Sequence, residues 1–515
     1  MKSIKKWTSR ELAAQCVMPR LSVEQYLNNA TYQAAINSLV HSGIGGFCVF
    51  EGDIKHTTRI LEQLQAMSEV PMIFAADFEW GLPMRFSDGT EFPHHMALAK
   101  TNDGLLVYDS AKAIAEEAQS VGLSWNLAPV CDINTNPDNP VINIRAFGED
   151  TETVSKYSGA YIEGTQAGGL LACAKHFPGH GDTRDDSHLM LPVMKQSIET
   201  IKSRELEPFR NAIDKKVKSI MAGHLLVEAI DDKYPASISE KVIKGLLREE
   251  LGYEGLVITD ALNMKAVTGR YSDQEAIRLA AKAGNNIMLM PADPAGAINE
   301  LSAYADENKN IRRHLENSAR LLLKEKKEAG LIPQFARKDF EEKLFDRNRK
   351  LALKAAFHSI DMGGSMKLIP LPDSKTFAGF AFLQKESDLR QASRFFTMLA
   401  QATESDCDFG FIDENITDEN IEDLKKNITN ADFIIFPVFI KGRAYTEKID
   451  YSEVLNRIIR KLADERDYIV IFFGNPYIAG RVDAPLKIKT YSDSMASLAA
   501  AIMKLTDKGL DRLSI

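Results

Sequence analysis

Cysteine is scarce and unpatterned: five in 515 residues, with Cys16, Cys48, Cys131 and Cys173 in or beside apolar runs. An odd, widely scattered set is no disulfide framework and reads as buried free thiols. No apolar run approaches the ~20 residues that a membrane span needs. No cluster of Lys and Arg stands out either, and with a net charge of −9 this argues against a nucleic-acid binder. Met1 to Lys6 is basic, but no apolar signal-peptide core follows it. The expectation is a cytoplasmic chain, or a secreted or periplasmic one if a leader has been removed. Short internal repeats and low-complexity segments are missing too.

What is present is ordinary in bulk and specific in pattern. A composition of 44% hydrophobic and 26% charged residues suits a soluble globular chain of several domains. Up to Gly330, short apolar runs alternate with amphipathic helical stretches. The strand candidates are Ala13 to Pro19, Gly45 to Phe50, Met72 to Asp77, Ser124 to Val130, Leu170 to His176, Val217 to Ala222, Gly255 to Thr259 and Asn286 to Met290. Between them, Ser272 and Glu275 form a capping-box pattern with Gly284 as the stop, and Asp103 caps a helix that ends at Gly122. Near-continuous apolar strands separated by helices indicate a parallel sheet covered on both faces. Eight of them match a (β/α)8 barrel of the TIM type, which takes about 250 residues plus insertions. A doubly wound sheet is the competitor, but no G-x-G-x-x-G turn follows the first strand.

Asp77, Asp132, Lys175, His176, His224 and Asp260 all fall at the ends of their apolar runs. In such a barrel that end is the active-site face. Each alone could be a helix cap or a loop hydrogen bond; six on one rim are hard to assign to caps. The densest stretch runs from Lys175 to His188, Lys-His-Phe-Pro-Gly-His-Gly-Asp-Thr-Arg-Asp-Asp-Ser-His. Pro178, Gly179 and Gly181 favour a shaped loop over a helix. A strand running into so many titratable groups reads as an active-site loop on a rigid scaffold; a solvated polar loop or a structural metal site is the plainer alternative.

Beyond Gly330 the pattern changes. Lys338 to Lys354 is highly charged and reads as a connector. Apolar runs at Phe377 to Leu383, Phe409 to Ile412, Asp432 to Ile440 and Tyr468 to Phe473 then alternate with helical segments such as Asp418 to Asn427 and Tyr451 to Ala463. The expected organisation is a barrel over 1–335, a linker over 336–360 and an α/β sandwich domain over 361–515. The second domain has no phosphate loop and no metal-ligand spacing.

Asp260, in Val-Ile-Thr-Asp-Ala-Leu-Asn-Met, ends a buried strand that would fix its orientation, as a nucleophile, a general base or a metal ligand. In Asp186-Ser-His188, Asp186 could orient His188 and stabilise its imidazolium, a pair that shuttles protons near neutral pH. Lys175, His176, Arg145, Arg85 and Asp77 would hydrogen-bond a neutral polyhydroxylated ligand, Arg donating and Asp accepting.

Lys-His-Phe-Pro-Gly-His-Gly-Asp-Thr followed by Asp-Ser-His resembles the signature of β-N-acetylglucosaminidases of glycoside hydrolase family 3. The likeness extends, in the family's order, through Ala-Pro-Val-Cys-Asp-Ile-Asn (Ala128 to Asn134), Asn-Pro-Val-Ile-Asn-Ile-Arg-Ala-Phe-Gly (ending at Gly148), Met-Ala-Gly-His (Met221 to His224) and Ile-Thr-Asp-Ala-Leu-Asn-Met (Ile258 to Met264). The resemblance implies a retaining exo-β-N-acetylglucosaminidase, a β-N-acetylhexosaminidase needing neither metal nor cofactor. Asp260 would be its nucleophile, His188 its acid/base and Asp186 the partner of that histidine. It assigns sugar binding to Asp77, Arg85, Arg145, Lys175 and His176. The family's Asp-Gln-Glu-Gly-Gly reads Asp77-Phe-Glu-Trp-Gly81 here, which keeps the acid and alters its neighbourhood. Family 3 β-glucosidases, by resemblance, take a glutamate acid from elsewhere and lack this histidine loop, so the loop points to N-acetylglucosamine. A histidine acid, with a reference pKa near 6.5, suits giving a proton in the first step and taking one in the second. Two alternatives stay open: a phosphorylase on the same scaffold, and a metal-dependent hydrolase using His176, His180, Asp182 and His188. The expected partner is a small carbohydrate, a muropeptide, chitin fragment or glycan, with no nucleic acid and no membrane span.

Overall fold

The computed structural model describes residues 3–183, 189–332, 342–371, 376–404, 407–428, 431–443 and 448–508. Contacts divide the chain into two compact units. One holds Met1–Thr90, Val107–Asn139 and Ala146–Phe345; the other holds Glu91–Leu106, Pro140–Arg145 and Asp346–Ile515.

In the first unit, strand β1 is Val17–Met18, resumed after Pro19 as Arg20–Ser22. It is followed by β2 (Gly46–Phe50), β3 (Ile73–Ala76), β4 (Trp125–Asn126), β5 (Leu171–Phe177), β6 (Ser219–Ala222), β7 (Leu256–Thr259) and β8 (Met288–Leu289). Neighbours from β1 to β7 pair in parallel in that order. Val17 of β1 pairs with Met288 of β8, and Ile287, just before β8, bridges to Ile258 of β7. The ring therefore closes as the (β/α)8 barrel that the alternating pattern indicates. The expected first strand from Ala13 is corrected: Ala13 to Gln15 finish a helix, Ser9–Gln15. Thr8 and Glu11 cap that helix reciprocally, a local signal stronger than the apolar run behind it. At Asp273–Ala283 the Ser272 side chain accepts from the Glu275 amide, one half of the expected capping box, and Gly284 closes the helix at φ 109°.

Side chains alternate across a strand, so every second residue faces the barrel interior. Ile73 and Ala75, Leu171 and Cys173, and Leu256 and Ile258 share one interior cluster with Trp125 and Met221. Ala172, Ala174, Ile220 and Val257 face the other way, against Leu206, Phe209, Ile243 and Leu247 of the covering helices. Continuing the interior parity by one step gives Asp77 after β3, Lys175 within β5 and Asp260 after β7.

The second unit is built on a six-stranded sheet. Its strands are β9 (Asp361–Gly364), β10 (Phe377–Leu383), β11 (Cys407–Ile412), β12 (Phe433–Ile440), β13 (Asp467–Gly474) and β14 (Leu486–Lys489). Their order is β9-β14-β13-β12-β10-β11, parallel except for the edge pair β9–β14. One face packs Phe380, Ile434, Phe436 and Val470 against Ile421, Leu455, Ile458 and Leu462 of helices Asp418–Asn427 and Ser452–Ala463. On the other face, helix Leu389–Thr403 sets Phe395 5.3 Å from Phe473. Helices on both faces of a mostly parallel sheet make this an α/β sandwich.

Candidate active site at the carboxyl ends of the barrel strands

Lys175 is only 2% exposed, and an ammonium so deeply buried needs compensating charge. Its Nζ lies 2.8 Å from Asp77 Oδ1 and 2.7 Å from Glu79 Oε1. Arg85 closes the other side by pairing with Asp77 Oδ2, while its guanidinium stacks 4.6 Å from the centre of the Phe50 ring. Burial would raise the Asp77 carboxyl, but the charges of Lys175 and Arg85 outweigh it and hold it well below the usual carboxylate range. Asp77 is thus a fixed acceptor. Arg85 Nε is buried with no hydrogen-bond partner among the described residues, a donor left over for a ligand.

Asp132 is fully buried and takes three donors. Its Oδ1 accepts from the backbone amides of His176 (3.1 Å) and His180 (2.7 Å), and Oδ2 lies 2.7 Å from His176 Nδ1. Burial pushes this carboxyl up, but its interactions with His176 and His180, hydrogen bonds from His176 among them, outweigh it and keep it low. His180 is held by Thr183 Oγ1, 2.7 Å from its Nδ1, and burial lowers its pKa. The loop beyond β5 sits close against its neighbour: a Cβ on Gly181 would stand 1.8 Å from the Ile133 carbonyl oxygen, which only glycine permits. Farther along, Asp182 accepts from Arg204 Nη2 at 2.8 Å and from Gln196.

Asp260 follows β7 with its amide bonded to the Ala222 carbonyl at 2.9 Å and its own Oδ1 accepting from the Ala261 amide at 2.8 Å. His224, also expected on the rim, is taken up structurally: Nδ1 lies 2.6 Å from Ser237 Oγ and Nε2 2.9 Å from the Ala261 carbonyl. Of the expected site residues, Asp77, Arg85 and Lys175 form one cluster, His176 follows Lys175 directly, and Asp260 ends the interior row of β7, two strands from Lys175. Arg145 belongs to the second unit, where it donates to the Val141 carbonyl at 3.1 Å and its own carbonyl accepts from His95. Asp186 and His188 lie outside the described residues. Among the described residues, no group of three or more His, Cys, Asp or Glu could hold a metal ion.

Two participants were not legible in the sequence. Glu79 carries a signal in hindsight, the alternation Asp77-Phe-Glu that repeats an acid two residues on. Glu205 has none, since Arg-Glu-Leu reads as plain helix. It is buried, takes Arg204 Nε at 2.7 Å on Oε1, and burial raises its carboxyl from 4.5 to about 7 against the opposing pull of Arg204. A carboxyl pKa raised by folding stabilises the native state below the unfolded value, and that contribution is lost as pH rises through about 7. The melting temperature of Glu205→Gln relative to wild type is therefore expected to rise between pH 5.5 and pH 8, measured by calorimetry. A constant difference across that range would show that Glu205 does not titrate there.

Residues 9–324 match the family described as glycosyl hydrolase family 3 N terminal domain, and the chain belongs to that family. A relative named beta-hexosaminidase A, from Pseudoalteromonas piscicida, is 34% identical over 273 residues, 48% of this chain and 46% of that protein. A beta-hexosaminidase from Idiomarina loihiensis is 31% identical over 273 residues, 52% of this chain and 82% of that one. The chain thus spans about half the length of the first relative and most of the second. Among solved structures, a glycoside hydrolase family 3 beta-N-acetylglucosaminidase from Paenibacillus sp. str. FPU-7 superposes with a TM-score of 0.84 at 25% identity, covering 99% of this chain and 98% of that one.

Proposed function

We propose that this chain is a retaining exo-β-N-acetylglucosaminidase that removes terminal β-linked N-acetylglucosamine through a covalent aspartyl-glycosyl intermediate. The observation that carries the reading is the interior row of Asp77, Lys175 and Asp260 at the carboxyl ends of three barrel strands, beside the histidine loop that Asp132 holds. Relatives named beta-hexosaminidase support it. Asp77, Arg85, Lys175 and His176 bind the sugar, the ionised Asp77 accepting from hydroxyls and the cations donating. Asp260 attacks the anomeric carbon. His188, oriented by Asp186, protonates the leaving oxygen and then deprotonates water. The barrel of 1–335 carries this chemistry, with 336–360 connecting it to the domain of 361–515. The proposed substrates are oligosaccharides or muropeptides ending in N-acetylglucosamine, met in the cytoplasm.

The direct test compares an aryl β-N-acetylglucosaminide with an aryl β-glucoside, each with and without phosphate. Hydrolysis of the first, indifferent to phosphate, is expected. Glucoside preference overturns the sugar assignment, and a sugar 1-phosphate product converts the reading to a phosphorylase.

His188→Ala separates acid/base work from sugar binding. An activated aryl leaving group needs little protonation, so its first step survives and glycosyl-enzyme accumulates, giving a burst and then slow turnover. Disaccharides lose about 10²–10⁴-fold, the usual worth of a general acid. Azide partly rescues the aryl reaction, and Asp186→Ala shows the same pattern more mildly. Equal losses on both substrates with no azide effect would make His188 a binding residue.

A further inference from the structure

Asp132 is a carboxylate that the proposed chemistry does not use, yet it occupies the centre of the loop that carries His176 and His180. Both of its oxygens are committed, Oδ1 to two backbone amides and Oδ2 to His176 Nδ1. It is fully buried. An ionised carboxylate is an acceptor only, so the proton shared with His176 belongs to the imidazole and sits on Nδ1. In the neutral ring the other nitrogen, Nε2, then carries a lone pair and no hydrogen. Among the described residues the hydrogen bonds of His176 run from its amide and its Nδ1 to Asp132, so Nε2 is left for a ligand. The neighbouring His180 does not compete for Asp132 with its ring, because its Nδ1 is taken by Thr183.

We propose that Asp132 is a positioning residue for sugar recognition: it fixes His176 as the Nδ1-protonated tautomer, so that a bare Nε2 accepts a hydrogen bond from a substrate hydroxyl. This rests on the reading of His176 as a sugar-binding residue. It divides labour within the site. Lys175 and Arg85 donate to hydroxyl oxygens, whereas Asp77 and His176 accept hydroxyl protons, so a single hydroxyl can be gripped from both sides. The same carboxylate holds the backbone at His176 and His180, which couples ring orientation to the path of the loop.

Asp132→Asn separates these tasks. The amide oxygen can still accept both backbone N–H groups, but the amide nitrogen then faces His176 Nδ1 as a donor. The proton must move to Nε2, and the acceptor becomes a donor while the loop keeps its anchor. Long-range ¹⁵N–¹H correlation on histidine-labelled protein reads the tautomer directly, with His176→Gln identifying the signal. Wild type is expected to show Nδ1–H and Asp132→Asn to show Nε2–H. With an aryl β-N-acetylglucosaminide, kcat/KM should fall about 10–100-fold, the range seen when the carboxylate orienting a metal-bound imidazole is removed. The loss should lie chiefly in KM, and it should vanish in a His176→Ala background, because the two residues act as one unit. A purely structural role would give additive losses and leave the tautomer where it was.

Nε2–H in the wild type overturns the inference, and that measurement needs no variant to fold. An inverted tautomer with unchanged KM, or additive losses, overturns it as well. If the wild type cleaves no aryl β-N-acetylglucosaminide, it is the glycosidase reading that fails. Calorimetric titration of wild type and Asp132→Asn with N-acetylglucosamine then decides the inference: equal affinity, or no binding to either, overturns it.

Discussion

Asp260→Ala is expected to lose turnover on the order of 10⁴–10⁶-fold, the scale at which removing a member of a nucleophilic centre is felt, while melting close to wild type. The fold tolerates the change because Asp260 holds its place through its backbone, its amide bonding to the Ala222 carbonyl at 2.9 Å. With Asp260 as the proposed nucleophile the chemistry does not tolerate it, because no other acceptor continues the interior row of β7. A 2-fluoro or 5-fluoro sugar slows breakdown of the covalent intermediate and should label the peptide containing Asp260 in the wild type. Mass spectrometry of a digest decides the matter. A label on another residue, or near-normal turnover in the alanine variant, would remove Asp260 from the nucleophile's role.

The largest stability effect should come from Lys175→Met. The substitution keeps an unbranched apolar stem one atom shorter and removes the ammonium that faces both Asp77 and Glu79. Asp77 retains Arg85, and Glu79, 1% exposed, loses the ion pair with Lys175. Breaking one side of a buried pair costs about 3–5 kcal/mol, because the remaining charge is stranded or must take up a proton. Urea unfolding should show that loss at pH 8 and less of it at pH 5, where protonating Glu79 becomes cheaper. Adding Glu79→Gln to Lys175→Met should recover much of the stability and none of the activity. If stability does not return, the cost of Lys175→Met lies in packing and not in charge.

The barrel was legible because its strands are short, apolar and regularly spaced, and that pattern survives any detail of packing. Where it misled, at Ala13 to Gln15, a reciprocal cap between Thr8 and Glu11 was already in the sequence and set the helix. In the second domain the edge strand Asp361–Gly364 went unseen, since Asp-Met-Gly-Gly has neither alternation nor β-branched residues. It is a strand only because Leu486–Lys489 offers it a partner. At the site, rim placement told which residues reach the active face but not which bind one another. Asp132 and His224 looked alike as polar groups at the ends of apolar runs. One anchors the histidine loop, the other is absorbed by Ser237 and Ala261, and only the packing distinguishes them.

The interior row has a consequence for how such a chain tolerates change in length. Asp77, Lys175 and Asp260 face inward because each lies an even number of residues from core side chains of its own strand. Deleting or inserting one residue inside β3, β5 or β7 would turn that group toward the covering helices and a core residue with it. The same edit in a connecting loop leaves every parity intact. Length variation should therefore accumulate in the loops and be purged from the strands, even where the strand residues themselves are freely exchanged for other apolar ones.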